Sequence, residues 1–258
     1  MKRQPIVALA QIRYFESENN NLEKIKEYIR LAKKKRADII CFPESCVHKT
    51  KVLDFDNEMV NEIKKECCKN KIWCIINDSM KIKGEKYNAS IIINREGKIV
   101  GEYRKMNLYG DGEDFRSGKK VKVFKTDFAK IGIAICWDLA FPELFRKMKK
   151  LGTQIVFCPS QWKYELCAHE GNKYENKHKD GERALLESLI RSRAFENLFY
   201  VALINPILKD KDQVNYSAIV SPHKILAQIN EKEGLITAKI DLSKIEKLHK
   251  IYNPKKVI

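Results

Sequence analysis

The sequence predicts an α/β protein built of stacked sheets with helices outside, and three observations carry that reading. Short apolar runs of strand length alternate along the chain with segments of helical periodicity, the order expected of βαβ units. Several of the runs stop abruptly at a polar or proline residue, as Ile39-Ile40-Cys41-Phe42-Pro43-Glu44 does. A chain of 258 residues is also long enough for one large domain, spanning residues 1–258, to bury roughly three quarters of its unfolded surface.

The elements follow in order. Asn21 reads as the cap of a helix whose apolar positions Leu22, Ile25, Ile29 and Ala32 share a face, and this helix leads to the strand ending at Glu44. Met59, Val60, Ile63 and Cys67 mark a second helix before the strand Ile72–Ile76. Tyr87–Ile93 and Ile99–Tyr103 form a hairpin through Asn94-Arg95-Glu96-Gly97. Strands at Val121–Phe124 and Lys130–Ile135, a helix at Pro142–Lys150 and a strand at Gln154–Phe157 come next. A long helix over Glu182–Asn197 precedes strands at Phe199–Ile204, Tyr216–Val220, Ile225–Ile229 and Leu235–Ile240, and Asp241 caps a final helix through Ile245 and Leu248. The polar stretch Lys163–Gly181 lacks periodicity and reads as a lid over a pocket.

Chemistry concentrates at three strand exits. In Ile131–Glu143, Ile131, Ile133 and Ile135 alternate with Gly132 and Ala134 as in a strand packed on both faces, and Phe141-Pro142-Glu143 opens a helix. Cys136 falls between them, where backbone N–H groups can face a reacting oxygen. The competing reading is a buried structural thiol. Glu44 leaves the strand before it as an exit carboxylate, and Lys105 leaves the strand Ile99–Tyr103. A carboxylate can take a thiol proton, and an ammonium can stabilise the oxyanion that follows attack on a carbonyl.

The motifs F-P-E at Phe42–Glu44, Y-R-K at Tyr103–Lys105 and C-W-D-L-A-F-P-E at Cys136–Glu143, in that order, resemble the nitrilase superfamily of carbon–nitrogen hydrolases. V-A-L-A-Q at Val7–Gln11, C-P-S-Q-W at Cys158–Trp162 and R-A-F-E-N at Arg193–Asn197 extend the resemblance over nearly the whole chain. It implies a four-layer α-β-β-α sandwich and a Glu–Lys–Cys triad at Glu44, Lys105 and Cys136. A second glutamate of the family would match Glu113, with Asp111 and Asp114 as competing acids. Trp137, Gln161 and Trp162 are pocket candidates, with a core aromatic the alternative for Trp162, and no metal or organic cofactor is implied.

Three departures from the family pattern stand out. Asn107 occupies the place of a usual His, Asp138 follows C-W where family nitrilases carry Glu, and Ala140 stands where many amidases have Arg. The implied activity is hydrolysis of a small amide through a cysteine thioester. A nitrilase and an N-carbamoyl amide hydrolase are alternatives.

Composition bounds the rest. Fifty Lys and Arg against 34 Asp and Glu give a net charge of +16, which keeps a polyanion-binding protein on a hydrolase scaffold open as a non-enzyme alternative. The charge is scattered or sits at helix C-termini, as at Lys33-Lys34-Lys35-Arg36, and no basic run is interleaved with aromatics, so nucleic acid is not an expected partner. No apolar run approaches the roughly 20 residues that span a bilayer, which predicts a cytoplasmic protein without membrane attachment. The eight cysteines include no C-x-x-C pair and the five histidines show no metal-ligand spacing. The expected cysteine state is reduced and buried. Apolar residues Phe141, Leu144 and Phe145, with the tail Ile251–Ile258, predict a homodimer or a larger even assembly.

Overall fold

Two six-stranded sheets form the centre of the computed structural model, which describes residues 4–14, 18–48, 51–163, 177–208 and 213–252. The first runs in the order β12-β1-β2-β3-β4-β5 and the second β11-β10-β9-β8-β7-β6. The strands are β1 Ile6–Gln11, β2 Ile39–Cys41, β3 Trp73–Ile82, β4 Glu85–Ile93, β5 Ile99–Arg104, β6 Val123–Lys125, β7 Lys130–Ile133, β8 Ile155–Pro159, β9 Tyr200–Ile204, β10 Tyr216–Val220, β11 Ile225–Asn230 and β12 Gly234–Lys239. In each sheet three neighbours are parallel, β1-β2-β3 and β7-β8-β9, and antiparallel strands flank them. Parallel neighbours require crossovers. These are the helices α1 Glu18–Lys34, α2 Glu58–Asn70, α3 Pro142–Lys150 and α4 Lys177–Asn197, with α5 Leu242–Tyr252 closing the described chain.

Side-chain alternation then decides the layers. Val7, Leu9, Ile39 and Ile75 of the first sheet meet Ile131, Ile133, Ile155 and Phe157 of the second in a core between the sheets. The opposite faces carry Ile40, Ile76 and Ile91, which pack on Ile25, Ile29 and Ile63 of α1 and α2. Val156, Val201 and Val220 pack on Phe145, Met148, Leu186 and Ile190 of α3 and α4. The fold is therefore an α-β-β-α sandwich. Because both sheets are covered on both faces, their central strands read as continuous apolar runs rather than as strict alternation.

The structure differs from the expected elements in several places. Helix α1 begins at Glu18, so Asn21 is a buried residue of its first turn instead of its cap. Strand β3 continues past Ile76 to Ile82 because Asn77 and Asp78, polar but buried, are fully engaged by neighbouring loops. The segment read as a lid is divided: Lys163 bridges to Gln213, residues from Lys177 onward belong to α4, and 164–176 lie outside the described residues. Leu144 and Phe145 are buried against α4 and offer no free surface, whereas Phe195, Ile251 and Tyr252 are exposed. The tail beyond Tyr252 lies outside the described residues.

Candidate active site

The carboxyl ends of β2, β5, β7 and β8 converge on one cavity of about 360 Å³, lined among others by Glu44, Lys105, Asp111, Cys136, Gln161 and Trp162. Glu44 follows β2, Lys105 follows β5, Cys136 follows β7 and Gln161 follows β8. Open α/β sheets place ligand sites at such strand ends, where loops start and backbone groups are unpaired.

Glu44 is held at nearly every atom. Its main-chain carbonyl accepts the Tyr14 hydroxyl, and the following Ser45 takes a left-handed φ of 55°. Asn77 and Asp78 on β3 fix that turn, since Ser45 N donates to Asn77 Oδ1 (3.0 Å) and Val47 N and His48 N donate to Asp78 Oδ2 (2.8 and 2.7 Å). The carboxylate itself accepts Lys105 Nζ (3.1 Å) and Asn88 Nδ2 (2.6 Å) on Oε1, and the Gln161 N–H (2.9 Å) on Oε2.

Lys105 is 2 % exposed. A buried ammonium is costly unless paired, and here it is paired twice, with Glu44 and with Asp111 Oδ2 at 2.8 Å. Burial alone would push it down, but the Glu44 and Asp111 carboxylates outweigh that and hold it above its ordinary value. The lysine's position is fixed from the far side by the segment after it, because Gly118 N donates to Lys105 O (2.7 Å) and a Cβ at Gly118 would strike the Arg104 carbonyl.

Cys136 begins a short 3-10 turn, Cys136–Ala140, with a left-handed φ of 47°. A non-glycine residue there costs roughly 1–3 kcal/mol and persists only where its surroundings impose it. Asp138 supplies the constraint. Its Oδ2 accepts Ile135 N (3.0 Å) and the Tyr103 hydroxyl (2.8 Å), and its Oδ1 accepts both Asn107 N and Asn107 Nδ2 (2.9 Å each). The two departures from the family pattern at 107 and 138 thus touch each other, and together they tie the lysine loop to the cysteine turn. Burial pushes the Cys136 thiol up, the Glu44 carboxylate adds to that, and Lys105 and the Gln161 N–H oppose it. The net direction is upward, which favours the protonated thiol.

The expected fourth residue is not in the cavity. Glu113 is exposed, while Asp111 lines the cavity and bonds Lys105 and Asn88 Nδ2 (2.5 Å). The loop geometry explains these placements. Gly110 and Gly112, at φ 67° and 89°, reverse the chain on both sides of Asp111. Phe115 is anchored on β4 beneath Lys86 (4.2 Å to the ring centroid). That leaves Glu113 at the outer tip, and Asp114 also faces outward to Lys86 (2.9 Å).

Trp137, Gln161 and Trp162 all line the cavity. Trp137 is sandwiched between Tyr109 (centroids 4.9 Å apart) and Trp162 (5.6 Å), forming an aromatic wall. Trp162 is also a core residue, buried and anchored through Nε1 to Glu182 (2.8 Å). At Ala140 no arginine is present, but Arg193 of α4 reaches the turn and donates to Leu139 O (3.1 Å) and Ala140 O (3.4 Å), bracing its backbone. Lys86 and Lys163 stand at the cavity wall.

Sequence reasoning missed Asn77, Asp78 and Asn88 altogether. Asn88 had a signal: it is a polar residue near the start of the apolar run Tyr87–Ile93, and such a residue in a central strand needs a partner. Among the described residues no helix is long and apolar enough to cross a membrane, and no group of three or more His, Cys, Asp or Glu could hold a metal ion.

Sandwich, strand-end cavity and motif residues together define a class, and the comparisons agree with it. The carbon-nitrogen hydrolase family model matches residues 6–250, so the chain belongs to that family and is a hydrolase. Its relatives include a probable nitrilase of Schizosaccharomyces pombe, 30% identical over 64% of this chain and 57% of that protein, and the 2-oxoglutaramate amidase of Bacillus subtilis, 26% identical over 87% and 85%. Among solved structures, Saccharomyces cerevisiae Nit3, a member of branch 10 of the nitrilase superfamily, superposes with a TM-score of 0.81 at 25% identity, covering 96% of this chain and 94% of that one.

Proposed function

We propose that the protein is an amidase of small carboxylate-bearing amides, working through a thioester on Cys136. The observation that carries this reading is the single carboxylate of Glu44, bonded to Lys105 on one oxygen and to the Gln161 N–H on the other, in the cavity that holds the thiol. Glu44 accepts the thiol proton as sulfur attacks the amide carbon, and Lys105 with the Trp137 N–H stabilises the oxyanion. The C–N bond then breaks, Glu44 returns the proton to the leaving ammonia or amine, and water activated by the same carboxylate releases the acid and the thiol. Asp111 acts as the second acid in place of Glu113, holding Lys105 from the other side. A carboxylate on the substrate fits Lys163, since Lys86 at the same wall is already paired with Asp114 and Lys105 with Glu44 and Asp111. Relatives named as 2-oxoglutaramate amidase and omega-amidase support the same class.

The test is mass spectrometry of Cys136 after incubation with a panel of amides and nitriles with and without a distal carboxylate. Acyl adducts from the carboxylate-bearing amides alone are expected, and their absence across the panel refutes the reading. The described cysteines are free thiols, which suits a reducing compartment such as the cytoplasm. Phe195, packed with His223 and Tyr252 in an exposed aromatic cluster beside Ile251, is the surface on which a homodimer would form. Light scattering that finds a monomer at micromolar concentration contradicts that assembly.

A further inference from the structure

We propose that Asn88 is a positioning residue that clamps Glu44 and Asp111 on either side of Lys105 and so directs the thiol proton to one particular oxygen of Glu44. The inference rests on Glu44 acting as the base for Cys136.

The geometry is a closed ring. Asn88 Nδ2 has two hydrogens and spends one on Glu44 Oε1 (2.6 Å) and the other on Asp111 Oδ1 (2.5 Å). Lys105 Nζ contacts the same two side chains, Glu44 Oε1 at 3.1 Å and Asp111 Oδ2 at 2.8 Å. Amide nitrogen and ammonium can only donate, so the oxygens they face must be bare acceptors. Two donors therefore fill Glu44 Oε1. A proton arriving from the thiol is left with Oε2, which accepts a single donor, the Gln161 N–H, in the cavity that Cys136 also lines.

Asn88 cannot turn to present its oxygen instead. Its Oδ1 accepts Asn77 Nδ2 (2.9 Å), and Asn77 Oδ1 accepts Ser45 N (3.0 Å), the residue after Glu44 in its left-handed turn. Its main-chain carbonyl accepts Lys105 N (2.9 Å), so β4 sets the height of the lysine as well. The chain Ser45–Asn77–Asn88 thus fixes the amide's orientation from the backbone of the loop that it serves, and Asn88 is itself buried.

The experiment reads Cys136 directly and needs no known substrate. The rate of Cys136 carbamidomethylation by iodoacetamide is measured by mass spectrometry from pH 5 to 9 in the wild type, Asn88→Ala, Asn88→Asp and Glu44→Gln, with the melting temperature of each. Asn88→Ala removes both carboxylate hydrogen bonds, and loss of the one to Glu44 predicts alkylation slowed at least roughly 10- to 100-fold near neutral pH. Asn88→Asp keeps the size but places a third carboxyl between two others, and should move the profile to higher pH by at least about one pH unit. Asn88→Asp decides the question if the alanine variant does not fold. Where Glu44→Gln slows alkylation but both Asn88 variants keep the wild-type rate and profile, Asn88 is only structural and the proposal falls, while Glu44 as base stands. Unchanged alkylation in Glu44→Gln overturns both.

Discussion

Asp138→Asn is the sharpest probe of how the site is assembled. Asp138 accepts four hydrogen bonds, two on each oxygen, from Ile135 N, Tyr103, Asn107 N and Asn107 Nδ2. An asparagine keeps one accepting oxygen for two of these donors and turns an NH2 group toward the other two. Each buried donor stripped of its partner costs about 1–3 kcal/mol, so the pair costs roughly 2–6 kcal/mol. Part of this is recovered. Burial already pushes the Asp138 carboxyl up against the hydrogen bonds that it accepts, so the neutral amide escapes a desolvation cost that the carboxylate bears. A net loss of about 3 kcal/mol lowers the melting temperature of a chain this long by roughly 6–12 °C. Differential scanning calorimetry reads this, and Cys136 carbamidomethylation should slow in parallel because the left-handed turn relaxes. Asn107→Ala should add little on top of Asp138→Asn, since the two share bonds. A melting temperature within about 2 °C of wild type with unchanged alkylation would show that Asp138 does not impose the turn.

Other perturbations test neighbouring parts of the scheme. Cys136→Ser should abolish acyl adducts and cut turnover by several orders of magnitude while moving the melting temperature only a few degrees; Cys74→Ser, fully buried in the core, should do the reverse, losing roughly 1–3 kcal/mol of stability with activity intact. Asp111→Asn should lower turnover at least roughly tenfold through its ion pair with Lys105, whereas Glu113→Gln at the exposed loop tip should stay within about twofold of wild type, and equal effects at the two positions would refute the exchange of acids. Burial pushes the Asp78 carboxyl up from 3.8 to about 7 against the His48, Ser79 and Val47 N–H groups. A carboxyl raised on folding favours the folded state most below its unfolded value and loses that contribution as pH rises through its folded value. Denaturant titrations should therefore show wild-type stability falling relative to Asp78→Asn between about pH 4 and 7, by up to roughly 4 kcal/mol, and a difference independent of pH would contradict it.

Much of the architecture was legible because it depends on local pattern. Apolar runs ending in Pro43-Glu44 or Cys136-Trp137 mark strands that are buried on both faces and stop at a cavity, and the three motif residues fall at three such exits. The boundaries that failed did so for tertiary reasons. Asn77 and Asp78 break the apolar run in sequence yet continue β3, because the Glu44 loop provides the partners that a buried polar residue requires.

The site divides in the same way. Sequence alone determined which groups can do chemistry: a thiol, a carboxylate and an ammonium at strand ends, where main-chain groups are left over. Which acid faces the cavity depends on three dimensions, since the resemblance matched Glu113 whereas two left-handed glycines turn Asp111 inward and Phe115 pins the loop on β4. The same holds for Asn88, 44 residues from Glu44 along the chain. A hydrogen bond between such residues leaves no periodic trace in either segment. Only the pairing of β4 beside β3 and β5 brings that amide to the carboxylates, because a directional bond of this length depends on where backbones lie rather than on which residues follow one another.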